Sequence, residues 1–175
     1  MTLTDRVPTA SSRSLVTLGA CVVVLTVALT WTYLVMRSVM DVGGACAEGG
    51  PYEIAQPCPG GVWMIAVGVP VMIVAAMTGS AVAMGLSAPN LLVPMWVALF
   101  ASLGWNFLDY GLFSGDVVVG WVVCGVLFEL MALPAVLLLR PTGDDERGAT
   151  RWWVGYAVLA AVGLGLGTWT HAAWS

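Results

Sequence analysis

The sequence predicts an all-α integral membrane protein: a bundle of five transmembrane helices with one disulfide-tied extracytoplasmic loop. Three observations carry that prediction. Five runs of about 19 to 25 mostly uncharged residues occupy most of the 175 positions, and each is long enough to cross a hydrocarbon core of roughly 30 Å as a helix. The composition, 59% hydrophobic and 9% charged, lies outside the range of soluble globular chains. Third, with alternating crossings, Arg6, Arg13, Arg140, Arg147 and Arg151 share one side and Arg37 alone takes the other. Clustered arginine marks the cytoplasmic side, so the N-terminus is expected inside and the C-terminus outside a bacterial inner membrane.

The elements follow in order. Residues 1–14 form a polar cytoplasmic tail, and the first helix spans about 15–36. This run is longer than the apolar core of a signal peptide, and Gly43 stands where a lipoprotein cleavage site wants leucine, so a retained helix is expected. Residues 37–61 are an outer loop whose glycines and prolines exclude extended regular structure. The second helix, about 62–86, carries an internal Pro70, which removes one backbone hydrogen bond. Ser87-Ala88-Pro89-Asn90 is a tight turn, making the second helix and the third, about 91–110, antiparallel neighbours. A fourth helix at about 117–139 leads into the charged cytoplasmic segment 140–151, and the fifth covers about 152–172. The whole of 15–172 is therefore one transmembrane domain.

The aromatic residues support this topology independently. Trp31, Trp63, Trp105, Tyr110, Trp121 and Trp169 fall near predicted outer ends, and Trp152, Trp153 and Tyr156 near the inner end of the fifth helix. Indole and phenol rings favour that level because the ring sits in hydrocarbon while the polar atom stays wet. Trp96 does not fit, lying about a turn and a half inside its helix. No internal repeat is evident, which leaves no support for an inverted-repeat transporter. Nor is there a basic patch for nucleic acid, the net charge being −4 from dispersed acids.

The four cysteines divide by environment. Cys46 and Cys58 share the outer loop, where an oxidising compartment permits a disulfide, whereas Cys21 and Cys124 lie in helices as small apolar residues. A Cys46–Cys58 bridge would close a ring of 13 residues and stabilise the loop by roughly 3 kcal/mol in the chain-entropy model. The competing reading, a membrane thiol oxidoreductase of the vitamin K epoxide reductase type, needs a Cys-x-x-Cys pair that this sequence lacks. The string Gly43-Gly44-Ala45-Cys46-Ala47-Glu48-Gly49-Gly50-Pro51-Tyr52-Glu53-Ile54, with Pro57-Cys58-Pro59-Gly60-Gly61 after it, resembles a loop of uncharacterised actinobacterial integral membrane proteins. The absence of lysine and the heavy use of alanine, valine and glycine agree with a high-GC bacterial source. The resemblance covers about 20 residues and implies a recurring disulfide-tied loop, with no activity attached.

Glu129 is the single acid deep in an apolar run, 12 residues from Val117 and 11 from Arg140. A charge at that depth costs on the order of 3 kcal/mol on insertion scales. The expected resolutions are a protonated carboxyl or a hydrogen bond to Thr or Ser of a neighbouring helix. Functionally such a group serves either as an ion, proton or polar-substrate site or as interhelical glue. Ser102, Asn106 and Asp109, spaced i, i+4, i+7, share one helix face; facing Glu129, they would outline a half-channel. Otherwise Asp109 is an interfacial acid, with Ser102 and Asn106 bonded to backbone. Gly163 and Gly167 form a Gly-x-x-x-Gly that favours close helix packing. His171 is an interfacial residue, and without a second His or clustered Cys and Asp no metal site is expected.

No motif specifies a reaction, so no catalytic residue and no cofactor are assigned. The leading reading is a non-enzymatic scaffold or accessory subunit of a membrane complex, its partners the lipid bilayer together with other membrane subunits or a second copy. The first alternative is a small transporter or ion- or proton-conducting protein using Glu129. The second is a membrane thiol or lipid enzyme.

Overall fold

A computed structural model describes residues 11–44, 46, 57–139 and 146–174, with backbone alone for 146–149. The described residues form five helices: α1 (Ser12–Asp41), α2 (Trp63–Gly85), α3 (Leu92–Phe113), α4 (Val119–Leu138) and α5 (Glu146–Trp174). All five are long and apolar enough to cross a membrane, and no strand occurs among the described residues. Residues 1–10 of the predicted tail and 140–145 of the charged segment lie outside the described residues, as do Ala45 and residues 47–56 of the loop.

α1 is the hub, packing against α2, α3 and α5. At 30 residues it runs about 45 Å at 1.5 Å per residue, longer than a hydrocarbon core is thick. It continues five residues past the predicted end at Met36 because nothing in Arg37-Ser38-Val39-Met40-Asp41 breaks a helix. The break comes at Gly43 and Gly44, with φ of +93° and +78°, conformations that disfavour a Cβ. At its far end α5 also starts earlier than predicted, at Glu146, so polar residues extend both helices beyond their apolar runs.

Two apolar clusters hold the hub together. Leu18, Val22, Ala83, Leu91 and Tyr156 join α1, α2, the start of α3 and α5 at the end opposite the disulfide. Met72, Ala76 and Met95 join α2 and α3 further along, flanked by Leu25 and Leu29 of α1. The α2–α3 turn is tied in by side chains: Leu91 N–H donates to Ser80 Oγ at 2.9 Å and the Tyr156 hydroxyl to Pro89 O at 2.9 Å. Asn90 Oδ1 accepts from the amides of Leu92 and Val93, satisfying two free donors at the start of α3.

Ser87 ends α2 in the left-handed region at φ 53°, with Ala88 N–H reaching back to Ala83 O at 2.9 Å. This is the closing geometry that glycine serves best. Ser87→Gly is expected to stabilise the fold by about 0.5–1 kcal/mol by removing the Cβ penalty. A higher unfolding midpoint in detergent is the check.

The outlying helices hang on single neighbours. By backbone approach α4 lies against α3 alone and α5 against α1 alone, with Tyr156 of α5 reaching the α2–α3 turn through its side chain. Both contacts are built on glycine. A Cβ at Gly125 would sit 3.0 Å from Gly104 O and 2.7 Å from Leu108 Cγ, and one at Gly111 would meet Val122 N at 3.0 Å. On the other side, a Cβ at Gly163 would lie 2.7 Å from Thr26 Cβ and one at Gly167 the same distance from Thr30 Cβ. Such close approach maximises dispersion contact where lipid supplies no hydrophobic drive between helices. Thr26 and Thr30 present their methyl sides there while their hydroxyls donate to Val22 O and Thr26 O of their own helix.

Trp96, out of place as an interfacial residue, is explained by the same helix pair. Its indole N–H donates to Met131 O at 3.0 Å, in the turn of α4 that Pro134 disrupts. Stacking of Trp96, Phe100, Phe128 and Phe107 continues along this interface.

Candidate functional site

The polar residues of α3 and α4 divide between two faces. Glu129, the eleventh of the twenty residues of α4, lays its side chain across Gly104: a Cβ there would be 2.7 Å from Oε1 and 2.9 Å from Cδ. Only a glycine leaves that space. The carboxyl is partly exposed and has no hydrogen-bond or ion-pair partner among the described residues.

Ser102, Asn106 and Asp109 do not gather around it. Ser102 donates to Leu99 O of its own helix at 2.9 Å. Asn106 is fully buried, its Oδ1 3.5 Å from Arg37 Nη1 on α1. Asp109 forms an ion pair with the same guanidinium at 2.8 Å. Asn106 and Asp109 therefore meet α1, away from the Gly104 face that meets Glu129, and the two sets do not form one polar channel.

What Asn106 and Asp109 do form is a polar cluster at the disulfide end that joins α1 to α3. The Arg37 guanidinium lies 5.1 Å from the Tyr110 ring centre and 3.4 Å from Tyr33 Oη, while the Tyr110 hydroxyl donates to Asp41. Arg37 and Asp41 lie beyond the helix end expected at Met36, so their alignment with Tyr33 is hidden when the helix is stopped there. Continued one more turn, the helix places Tyr33, Arg37 and Asp41 at i, i+4, i+8 on one face, the signal that was there to be used. Asn106 Nδ2 has no partner in this cluster.

The Arg37–Asp109 pair is about one-third exposed on each side, so water screens it. With the ring contact, Arg37→Gln is expected to destabilise the fold by about 1 kcal/mol. The difference between wild type and variant should shrink in high salt. Unfolding midpoints at two ionic strengths test this; a salt-independent difference would assign Arg37 to packing.

Cys46 and Cys58 form a disulfide, Cα–Cα 4.9 Å, linking the segment after α1 to the approach to α2. Cys21 and Cys124 are free thiols on α1 and α4, helices that do not contact each other. Gly163 and Gly167 face α1, as described. His171 stands edge-on to Trp31, ring centres 5.4 Å apart, and Trp31 Nε1 donates to Thr170 Oγ1 at 2.8 Å. No group of three or more metal-ligating side chains occurs among the described residues. Of the loop string that carries the actinobacterial resemblance, Ala45 and residues 47–56 lie outside those described.

Comparison with protein-family models, with curated proteins and with solved structures yields no match.

Proposed function

We propose that this chain is a non-enzymatic scaffold or accessory subunit of a bacterial cell-membrane complex, with α4 as its partner-facing helix. One observation carries the reading: α4 packs on a single neighbour and holds, halfway along, a carboxyl that nothing else in the described chain satisfies. An ionisable group at that depth needs a hydrogen-bonding companion, and a helix of another subunit supplies one. The arginine asymmetry supports an N-terminus in the cytoplasm and a C-terminus outside. The disulfide agrees with that orientation, since its loop then sits in an oxidising compartment. The resemblance of the loop to actinobacterial membrane proteins supports the same location. The conducting alternative has less support, because Glu129 stands apart from the Ser102–Asn106–Asp109 stripe.

The test is photo-crosslinking in native membranes from Val126 and Leu133, which flank Glu129 at i−3 and i+4 and are both exposed. Adducts with another membrane polypeptide are expected there and not from Val158 of α5. Glu129→Gln should retain the adduct, and Glu129→Leu should weaken it by about 1–2 kcal/mol, one interhelical hydrogen bond. Equal labelling from α4 and α5, or indifference to both substitutions, would overturn the reading.

A further inference from the structure

α2 and α5 both lean on α1 while their backbones stay apart. Gly68 lets α2 close on α1, a Cβ there falling 2.5 Å from Thr32 Oγ1, and the Gly163–Gly167 face does the same for α5. Between the two outer helices an apolar groove of about 460 Å³ opens over α1, floored by Val23, Val27 and Ala28. At the disulfide end it meets a smaller chamber of about 160 Å³, and Trp31, Trp63, Met64 and Trp174 line both.

The chamber is walled by aromatic rings. Trp31 is its buried back, with His171 at 71° and Trp174 at 79° to it, close to right angles. Trp63 and Trp174 are exposed at the rim. Gly60, Gly61 and Met64 complete the lining, which among the described residues contains no arginine, lysine or carboxylate. Trp31 is 18 residues beyond Arg13, roughly 27 Å along the helix, which sets the chamber at headgroup level and the groove within the hydrocarbon. Two other large grooves among the described residues lack this ending. One has no aromatic lining, and in the other the Tyr156 hydroxyl is already bonded to Pro89.

We infer that the groove and chamber together bind one membrane lipid, its alkyl chain along α1 between α2 and α5 and a cationic ammonium head in the box of Trp31, Trp63, Trp174 and His171. Ring faces carry negative quadrupole density and attract a methylated or primary ammonium. A head that is only anionic finds no fixed positive charge in the lining. The chain supplies apolar burial, and the head supplies selectivity.

The test uses the full chain in maltoside micelles, with one-to-one complexes counted by native mass spectrometry. The probe is hexadecyltrimethylammonium, compared with its uncharged carbon isostere, with hexadecyl phosphate and with tetramethylammonium. The ammonium amphiphile is expected to bind at least about tenfold tighter than either hexadecyl competitor, and tetramethylammonium far more weakly. Trp63→Ala with Trp174→Ala, both at exposed positions, should remove that preference while leaving the unfolding midpoint unchanged. Val67→Trp, which fills the groove from an exposed position, should weaken only probes that carry a chain. Equal binding of ammonium and isostere by the unaltered chain would overturn the head assignment whatever the variants do. Equal binding of tetramethylammonium and the hexadecyl probe would overturn the chain groove.

Discussion

Gly125→Leu is expected to release α4 from α3 and to lower stability by about 3 kcal/mol or more. The side chain has no room: its Cβ would already press on Gly104 O, a backbone atom that cannot swing away, and on Leu108. Overpacking of this kind costs about 1–3 kcal/mol even when neighbours relax, and here the alternative to strain is separation of the helices. Separation would also expose the Trp96 indole, whose bond to Met131 O depends on the same contact. Gly120 provides the control on the same helix, since a Cβ there meets nothing within 4 Å. Unfolding midpoints and tryptophan emission of the two leucine variants should diverge sharply. If Gly120→Leu proves as damaging, loss of glycine itself is responsible and not the α3 contact.

The second large effect is expected on the opposite flank. Gly163→Leu combined with Gly167→Leu should undock α5 from α1, because both positions press on threonine Cβ atoms and Gly163 also faces Val23 O at 3.0 Å. A loss of several kcal/mol is expected from two overpacked positions on one seam. Gly165 lies between them in sequence but on the open side, with nothing within 4 Å of an added Cβ. Gly165→Leu should be close to neutral, and even slightly favourable for helix propensity. Hydrogen exchange along α5 separates the outcomes: fast exchange in the double variant and protection in Gly165→Leu. Equal protection in both variants would mean that α5 is held by something other than this face.

The number and order of helices were legible because each span must be apolar along its length, a property that survives ignorance of tertiary structure. The disulfide was legible from compartment and spacing. Gly163 and Gly167 stood out through their four-residue interval, although nothing in that interval names Thr26 and Thr30 as the opposing surface. The α3–α4 contact was harder to see. Gly104, Gly111 and Gly125 share no short motif, and their meaning appears only when two helices cross. Arg37 is hard to place for a different reason: polarity resembles the end of a helix, whereas the helix ends only at a conformational break, which comes at Gly43. The Ser102–Asn106–Asp109 stripe was correctly a face, but periodicity gives an angle on one helix and says nothing of which neighbour stands opposite.

The threonines of α1 carry a consequence for biogenesis. α1 leaves the ribosome 137 residues ahead of the glycine it will receive, the interval from Thr26 to Gly163. At synthesis rates of about 5–20 residues per second that wait is roughly 7 to 27 s. During it the face destined for α5 lies against lipid. Because Thr26 and Thr30 donate to carbonyls of α1 itself, that face offers no unsatisfied hydroxyl to the bilayer or to a chaperone while it waits. The hub can therefore be inserted complete, and α5, made later, finds its seat already formed.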